Sequence, residues 1–76
     1  MNEIYKKEMQ RIALRIRKAR EQKNISQEQL ATKLGISQNA YSKIELGYSK
    51  ITLDRLFHIA ELLELETLEL LSPKTV

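Results

Sequence analysis

The sequence predicts an all-α domain, a compact five-helix bundle, on three observations. The first is composition: the 76 residues are rich in Leu, Ile, Glu, Lys and Arg, with only two Gly and one Pro. Leu, Glu, Lys and Arg are good helix formers, and few Gly or Pro interrupt them. The second is punctuation: Ser26, Ser37 and Thr52 precede apolar-periodic stretches, and Asn24, Gly35 and Gly47 follow them. The third is size without staples. A chain this short buries only about 60% of its unfolded surface, and with no Cys it has no disulfide to help. Packed helices are the usual solution.

The elements follow in order. Asn2 caps a first helix that runs to about Lys23, with Ile12, Ile16 and Ala19 at helical spacing as its apolar stripe. Asn24 ends it, because Asn tolerates the left-handed conformation. Ser26 opens a second helix, and Gln29 stands three residues on, at capping-box spacing. Leu30, Ala31 and Leu34 form its buried face, and Gly35 stops it. Ser37 caps a third helix from Gln38 to about Leu46, stopped by Gly47. Thr52 caps a fourth, with Asp54 well placed for the helix dipole and Leu53, Leu56, Ile59, Ala60 and Leu63 as the inner face. A short fifth helix covers residues 66–71. The expected domain is 1–76, with its core over 10–71 and a frayed tail over 72–76.

Several classes of function are disfavoured at once. Without Cys there is no thiolate metal site. No apolar run approaches the ~20 residues of a membrane span, and the polar, charged N-terminus is unlike a secretory signal. The chain leaves no room for a separate sensing domain, and a cytoplasmic, nucleoid-associated protein is expected. Charge is uneven along the chain. Residues 1–23 hold eight cations against three anions, and residues 52–71 hold one cation against five anions, within a net charge of +3. One end therefore suits a polyanion, unless the charges only solvate a helix surface.

The second helix, the turn at Gly35 and the third helix carry inward residues Leu30, Ala31, Leu34, Ile36, Tyr41 and Ile44. Ala31 is small where two helices approach closely. This spacing makes them cross steeply instead of lying antiparallel. The segments RIRKAREQKNISQEQLA, KLGISQNAYSKIELG and ITLDRLFHIAELLEL together resemble the helix-turn-helix of the lambdoid phage repressor and Cro family, also called the xenobiotic-response-element type. The resemblance covers about Ile12 to Leu71. Asn24 and Glu64 stand where that family often has Gly, the loop Tyr48–Lys50 is less basic than usual, and the first helix begins about ten residues early.

That resemblance implies a lambda-repressor-like fold and a sequence-specific DNA-binding transcriptional regulator, a small repressor or controller in a bacterium or phage. The third helix turns Tyr41, Ile44 and Glu45 inward and leaves Ser37, Gln38, Asn39, Ser42, Lys43 and Leu46 outward. An α-helix fits the major groove of B-DNA. There, a carboxamide can grip adenine at two points and Lys can donate to guanine. Gln38, Asn39, Ser42 and Lys43 are therefore the expected base readers. Gln27, at the start of the second helix, and Ser37 are placed to hold phosphate, although Ser37 serves equally as a plain cap. Tyr48, Ser49, Lys50 and Arg17 are further candidates for the DNA backbone. By the same resemblance, Arg20 and Glu45 form a structural ion pair inside the fold.

No carboxylate pair, nucleophile–base set or phosphate-cradling Gly loop is present, so neither enzyme nor cofactor is expected. His58, the only His, has no second ligand in sight, and no metal is expected. Double-stranded DNA is the expected partner. One such domain reads too few base pairs to find a site alone, so a homodimer is expected. Leu63, Leu65, Leu68 and Leu71 are assigned to the core, which leaves Leu62 and Leu70 as surplus leucines for the dimer interface. A competing reading keeps the fold and gives it a protein partner, as an antitoxin-like or adaptor module.

Overall fold

The computed structural model describes residues 3–72. Its five helices are α1 (Glu3–Gln22), α2 (Gln27–Leu34), α3 (Gln38–Glu45), α4 (Leu53–Leu62) and α5 (Thr67–Leu71). The N-terminal cap expected at Asn2 lies outside the described residues.

Short polar side chains set where the inner helices begin. Ser26 Oγ accepts the Gln29 N–H at 3.0 Å, and the Gln29 side chain accepts the Ser26 N–H at 2.8 Å, which completes a capping box. Ser37 Oγ accepts the Ala40 N–H at 3.0 Å. Thr52 Oγ1 accepts the Arg55 N–H at 3.3 Å while its hydroxyl donates to Asp54 at 2.5 Å. Each bond from a backbone N–H satisfies a donor that the helix itself leaves open.

Four helices end by one device. Asn24, Gly35, Gly47 and Glu64 adopt φ of 58°, 75°, 79° and 60°. After each of them the next N–H reaches back five residues: Ile25 to Arg20, Ile36 to Ala31, Tyr48 to Lys43 and Leu65 to Ala60. This is the Schellman closure, which normally tucks an apolar residue under the finished helix. Ile25, Ile36 and Leu65 do pack against the core. Tyr48 does not; it is 78% exposed.

The core is built from Ile16 of α1, Leu30, Ala31 and Leu34 of α2, Tyr41 and Ile44 of α3, Leu56, Ile59 and Ala60 of α4, then Leu63 and Leu70. α3 packs against α2 and α1, α5 against α4 and α1, and α4 against α2. Burying a side chain of Leu or Ile size contributes roughly 1.5–3 kcal/mol each.

The C-terminal leucines differ from expectation. Leu70, expected at a dimer surface, is fully buried, and Leu62 is half-buried against the core. Leu53 and Leu68, expected inside, are 69% and 77% exposed, and Leu71 is also at the surface. The reason is helical phase: each residue turns the chain by about 100°, and Leu70 takes the inward direction in a five-residue helix that has few positions to share. Ser72, expected to fray, is tied down. Its carbonyl accepts Arg11 Nη1 at 2.5 Å and its N–H donates to Leu68 at 2.9 Å.

Candidate nucleic-acid interface

The third helix is anchored from within by a single carboxylate. Glu45 Oε2 accepts Arg20 Nε at 2.6 Å and also the Tyr41 hydroxyl. Glu45 Oε1 accepts Arg20 Nη2 at 3.2 Å and the Gln27 side-chain amide at 3.0 Å. Arg20 Nη1 donates further to the Ile25 carbonyl at 2.6 Å. α1, the turn after it, α2 and α3 thus meet at one buried cluster. Burial pushes the Glu45 carboxyl up, but the bonds from Arg20, Tyr41 and Gln27 and the Arg20 charge outweigh it, so the group sits below the usual carboxylate range. The bond to Glu45 raises Arg20. Burial, and next the bond to Glu45, raises the Tyr41 hydroxyl. The cluster is therefore an ion pair with a neutral phenol, and every buried side-chain polar atom among the described residues has a partner.

This anchoring decides what the other side of α3 presents. With 3.6 residues per turn, positions 38, 42, 46, 39 and 43 fall in one arc of about 140°. Gln38, Asn39, Lys43 and Leu46 are exposed there, and Ser42 is half-buried. The side chains of Gln38, Asn39 and Lys43 hold no hydrogen bond or ion pair among the described residues. The structure brings these four polar positions to one surface, with an exposed Leu46 in the same arc.

The positions expected to meet phosphate are less uniform. The Gln27 side chain points inward to Glu45, so what α2 offers outward at that point is backbone N–H, not the amide group. The local signal at Ser26–Gln29 marks a helix start and says nothing of a partner 18 residues away. Ser37 is used as a cap. Arg17 pairs with Glu21 at 3.1 Å on the surface of α1. Tyr48 and Lys50 are exposed and Ser49 is half-buried in the loop that follows α3. Gly47 lets that loop pass close to α1, where a β-carbon would meet Gln10 Cγ at 3.3 Å.

The basic N-terminal third is largely consumed internally. Arg11 donates to the Leu71 and Ser72 carbonyls and Arg15 to the Glu69 carbonyl, so α1 caps the C-terminal end of α5. Lys23 pairs with Glu64 at 2.6 Å. With Arg17 and Arg20 also paired, the charge count overstates what α1 offers a polyanion. Among the described residues there is no group of His, Asp or Glu that could hold a metal ion. No described helix is long and apolar enough to cross a membrane.

A sequence carrying this arrangement matches the helix-turn-helix family over residues 16–70, most of the chain. The protein belongs to the Cro/C1-type helix-turn-helix family and is a DNA-binding helix-turn-helix regulator. Comparison with curated proteins and with solved structures gives no match.

Proposed function

We propose that the chain is a sequence-specific regulator of double-stranded DNA that lays α3 in the major groove and acts as a homodimer on paired half-sites. One observation supports this above others. Gln38, Asn39 and Lys43 project uncommitted from a helix whose opposite face is held by four donors on one carboxylate. A rigid, pre-aimed set of donors and acceptors suits base readout, where a misplaced side chain loses its bond.

In this reading Gln38 and Asn39 engage adenine at two points, Lys43 donates to guanine, and Ser42 adds a single bond. The start of α2, Ser37 and the loop Tyr48–Lys50 position the molecule on phosphates, with Arg17 released from Glu21 for the same purpose. Two copies place their α3 helices in successive major grooves about 34–36 Å apart. The regulator is a repressor of bacterial or phage type that works in the cytoplasm on the nucleoid, and occupancy of its site blocks transcription.

Selection from a random duplex library, followed by salt titration on the chosen site, tests this. Affinity is expected to fall steeply with salt. Gln38→Ala and Asn39→Ala are expected to relax the preference at their own base pairs by about 1–3 kcal/mol each. Unchanged preference in both variants removes the assignment. The exposed apolar residues Ile4 and Leu14 on α1 favour a second reading, an antitoxin-like or adaptor module bound to another protein. That reading predicts retention of a protein partner with no sequence preference on DNA.

A further inference from the structure

The surface holds two shallow grooves. One lies between α1 and α5 and is lined by Leu14, Lys18, Ala19, Leu65 and Glu69. The other lies between α4 and α5 and is lined by Asp54, Phe57, Glu61, Leu65 and Glu66. Leu65 lines both, so the two form one continuous face. Its two halves differ in charge. On α1, the exposed Ile4, Lys7, Leu14 and Lys18 recur at spacings of three, seven and four residues, which puts them on one side of the helix. Lys7 and Lys18 have no ion-pair partner among the described residues. On α4 and α5, Phe57 lines the second groove with Asp54, His58, Glu61 and Glu66, and Leu53 and Leu68 are exposed on the same two helices; Glu61 likewise has no cation partner among the described residues.

We propose that two copies of this chain pair through a reciprocal contact, the basic stripe of α1 in each lying on the acidic, apolar α4–α5 groove of the other. This deepens the homodimer reading above and rests on it. A twofold contact requires that whatever one copy offers, the other accepts. Pairing α1 with α1 sets cations against cations, and pairing α4–α5 with itself sets carboxylates against carboxylates. The crossed arrangement alone satisfies both charge and apolar surface, and it does so twice per dimer. A twenty-residue α1 spans about 30 Å, and the stripe follows its exposed side from the first turns at Ile4 on to Lys18. Those first turns lie outside the family match, which begins at residue 16.

The test uses two full-length variants carrying substitutions at exposed positions: Lys7→Glu with Lys18→Glu, and Glu61→Lys with Glu66→Lys. Sedimentation equilibrium is expected to give two chains for the wild type, falling toward one as salt is raised, and one chain for each variant alone. An equimolar mixture of the variants is expected to return to two chains, because each now supplies what the other lacks, and recovery on mixing also shows that both are folded. A third variant, Leu68→Ser, lowers the dimer association constant at least tenfold. A wild type that stays at one chain at 100 µM, a dimer indifferent to both reversals, or an open ladder of larger masses overturns the proposal. Half-site DNA binding is read separately. A monomeric variant that keeps the wild-type base preference upholds the DNA reading whatever becomes of this contact, and a reciprocal dimer that ignores DNA sequence breaks the DNA reading alone.

Discussion

The α2–α3 half of the molecule and the α4–α5 half both feed the apolar core, but only the first adds a buried polar cluster. Around α3 the adhesive is directional: one carboxylate, a guanidinium, a phenol and an amide, with helix ends closed by Gly35 and Gly47. Around α5 it is mostly apolar burial, with arginines of α1 reaching over to cap the carbonyls and a left-handed Glu64 where a glycine would be unstrained. Hydrophobic contact is non-directional and tolerates small rotations. Hydrogen bonds to a charged group weaken with angle and distance. The half proposed above to face DNA is the half that the directional cluster fixes.

Arg20→Ala should break that contrast most severely. It leaves Glu45 buried without its cation, and the expected loss of stability is about 3–5 kcal/mol, read from urea denaturation followed by circular dichroism. A loss below 1 kcal/mol would mean that the cluster aims α3 without holding it.

Acid provides the second probe. Because the folded-state pKa of Glu45 is depressed, its stabilising contribution is fully present above the unfolded value of about 4.3 and is lost as pH falls through the folded value. Asp54 and Glu64 are shifted down too, by hydrogen bonds from Thr52 and Lys23. Both are fully exposed, so salt should screen their share. Melting temperature is expected to hold above about pH 5 and to fall below about pH 4. In Glu45→Gln the fall is shallower, and the Glu45 part alone survives in 1 M salt.

The smallest effects sharpen the contrast at the helix ends. Gly35→Ala meets no atom within 4 Å, so its cost is conformational, about 1–2 kcal/mol for a β-carbon in the left-handed region. Glu64→Gly runs the other way. Relief of that strain is offset by the flexibility of Gly and by loss of the pair with Lys23, and the net gain is expected to be within about 1 kcal/mol. Chemical denaturation of the two variants side by side resolves the signs; the same sign for both would show that the two turns are not equivalent.

Much of the helical layout was legible because its signals are local. Ser26, Ser37 and Thr52 cap within three residues of themselves, and Asn24, Gly35 and Gly47 close helices through their own backbone. What the sequence hid was long-range or short of turns. Arg11 and Arg15 enter the sequence only as part of the charge count of residues 1–23, because the carbonyls they cap lie some sixty and fifty residues further on. Gln27 read as a phosphate ligand, because Glu45 is remote in sequence. The leucines of α5 were misassigned because TLELL is too short to establish a phase, and an error of one residue turns a buried side chain outward. The outward arc of α3 was readable, since eight residues with Tyr41, Ile44 and Glu45 inward leave few other orientations.

The grip of Arg11 and Arg15 on the last turn of α5 also governs the order in which the bundle can close. A five-residue helix does not persist on its own in water, and the groups that cap it here are made first during synthesis. The contacts of Arg11 and Arg15 with α5 must wait until residues 69–72 have emerged, although Arg11 already meets Glu8 within α1. Docking of α5 is thereby a late event in the birth of the polypeptide, and a ribosome stalled short of residue 69 would hold a chain whose α1 still lacks the carbonyls it caps.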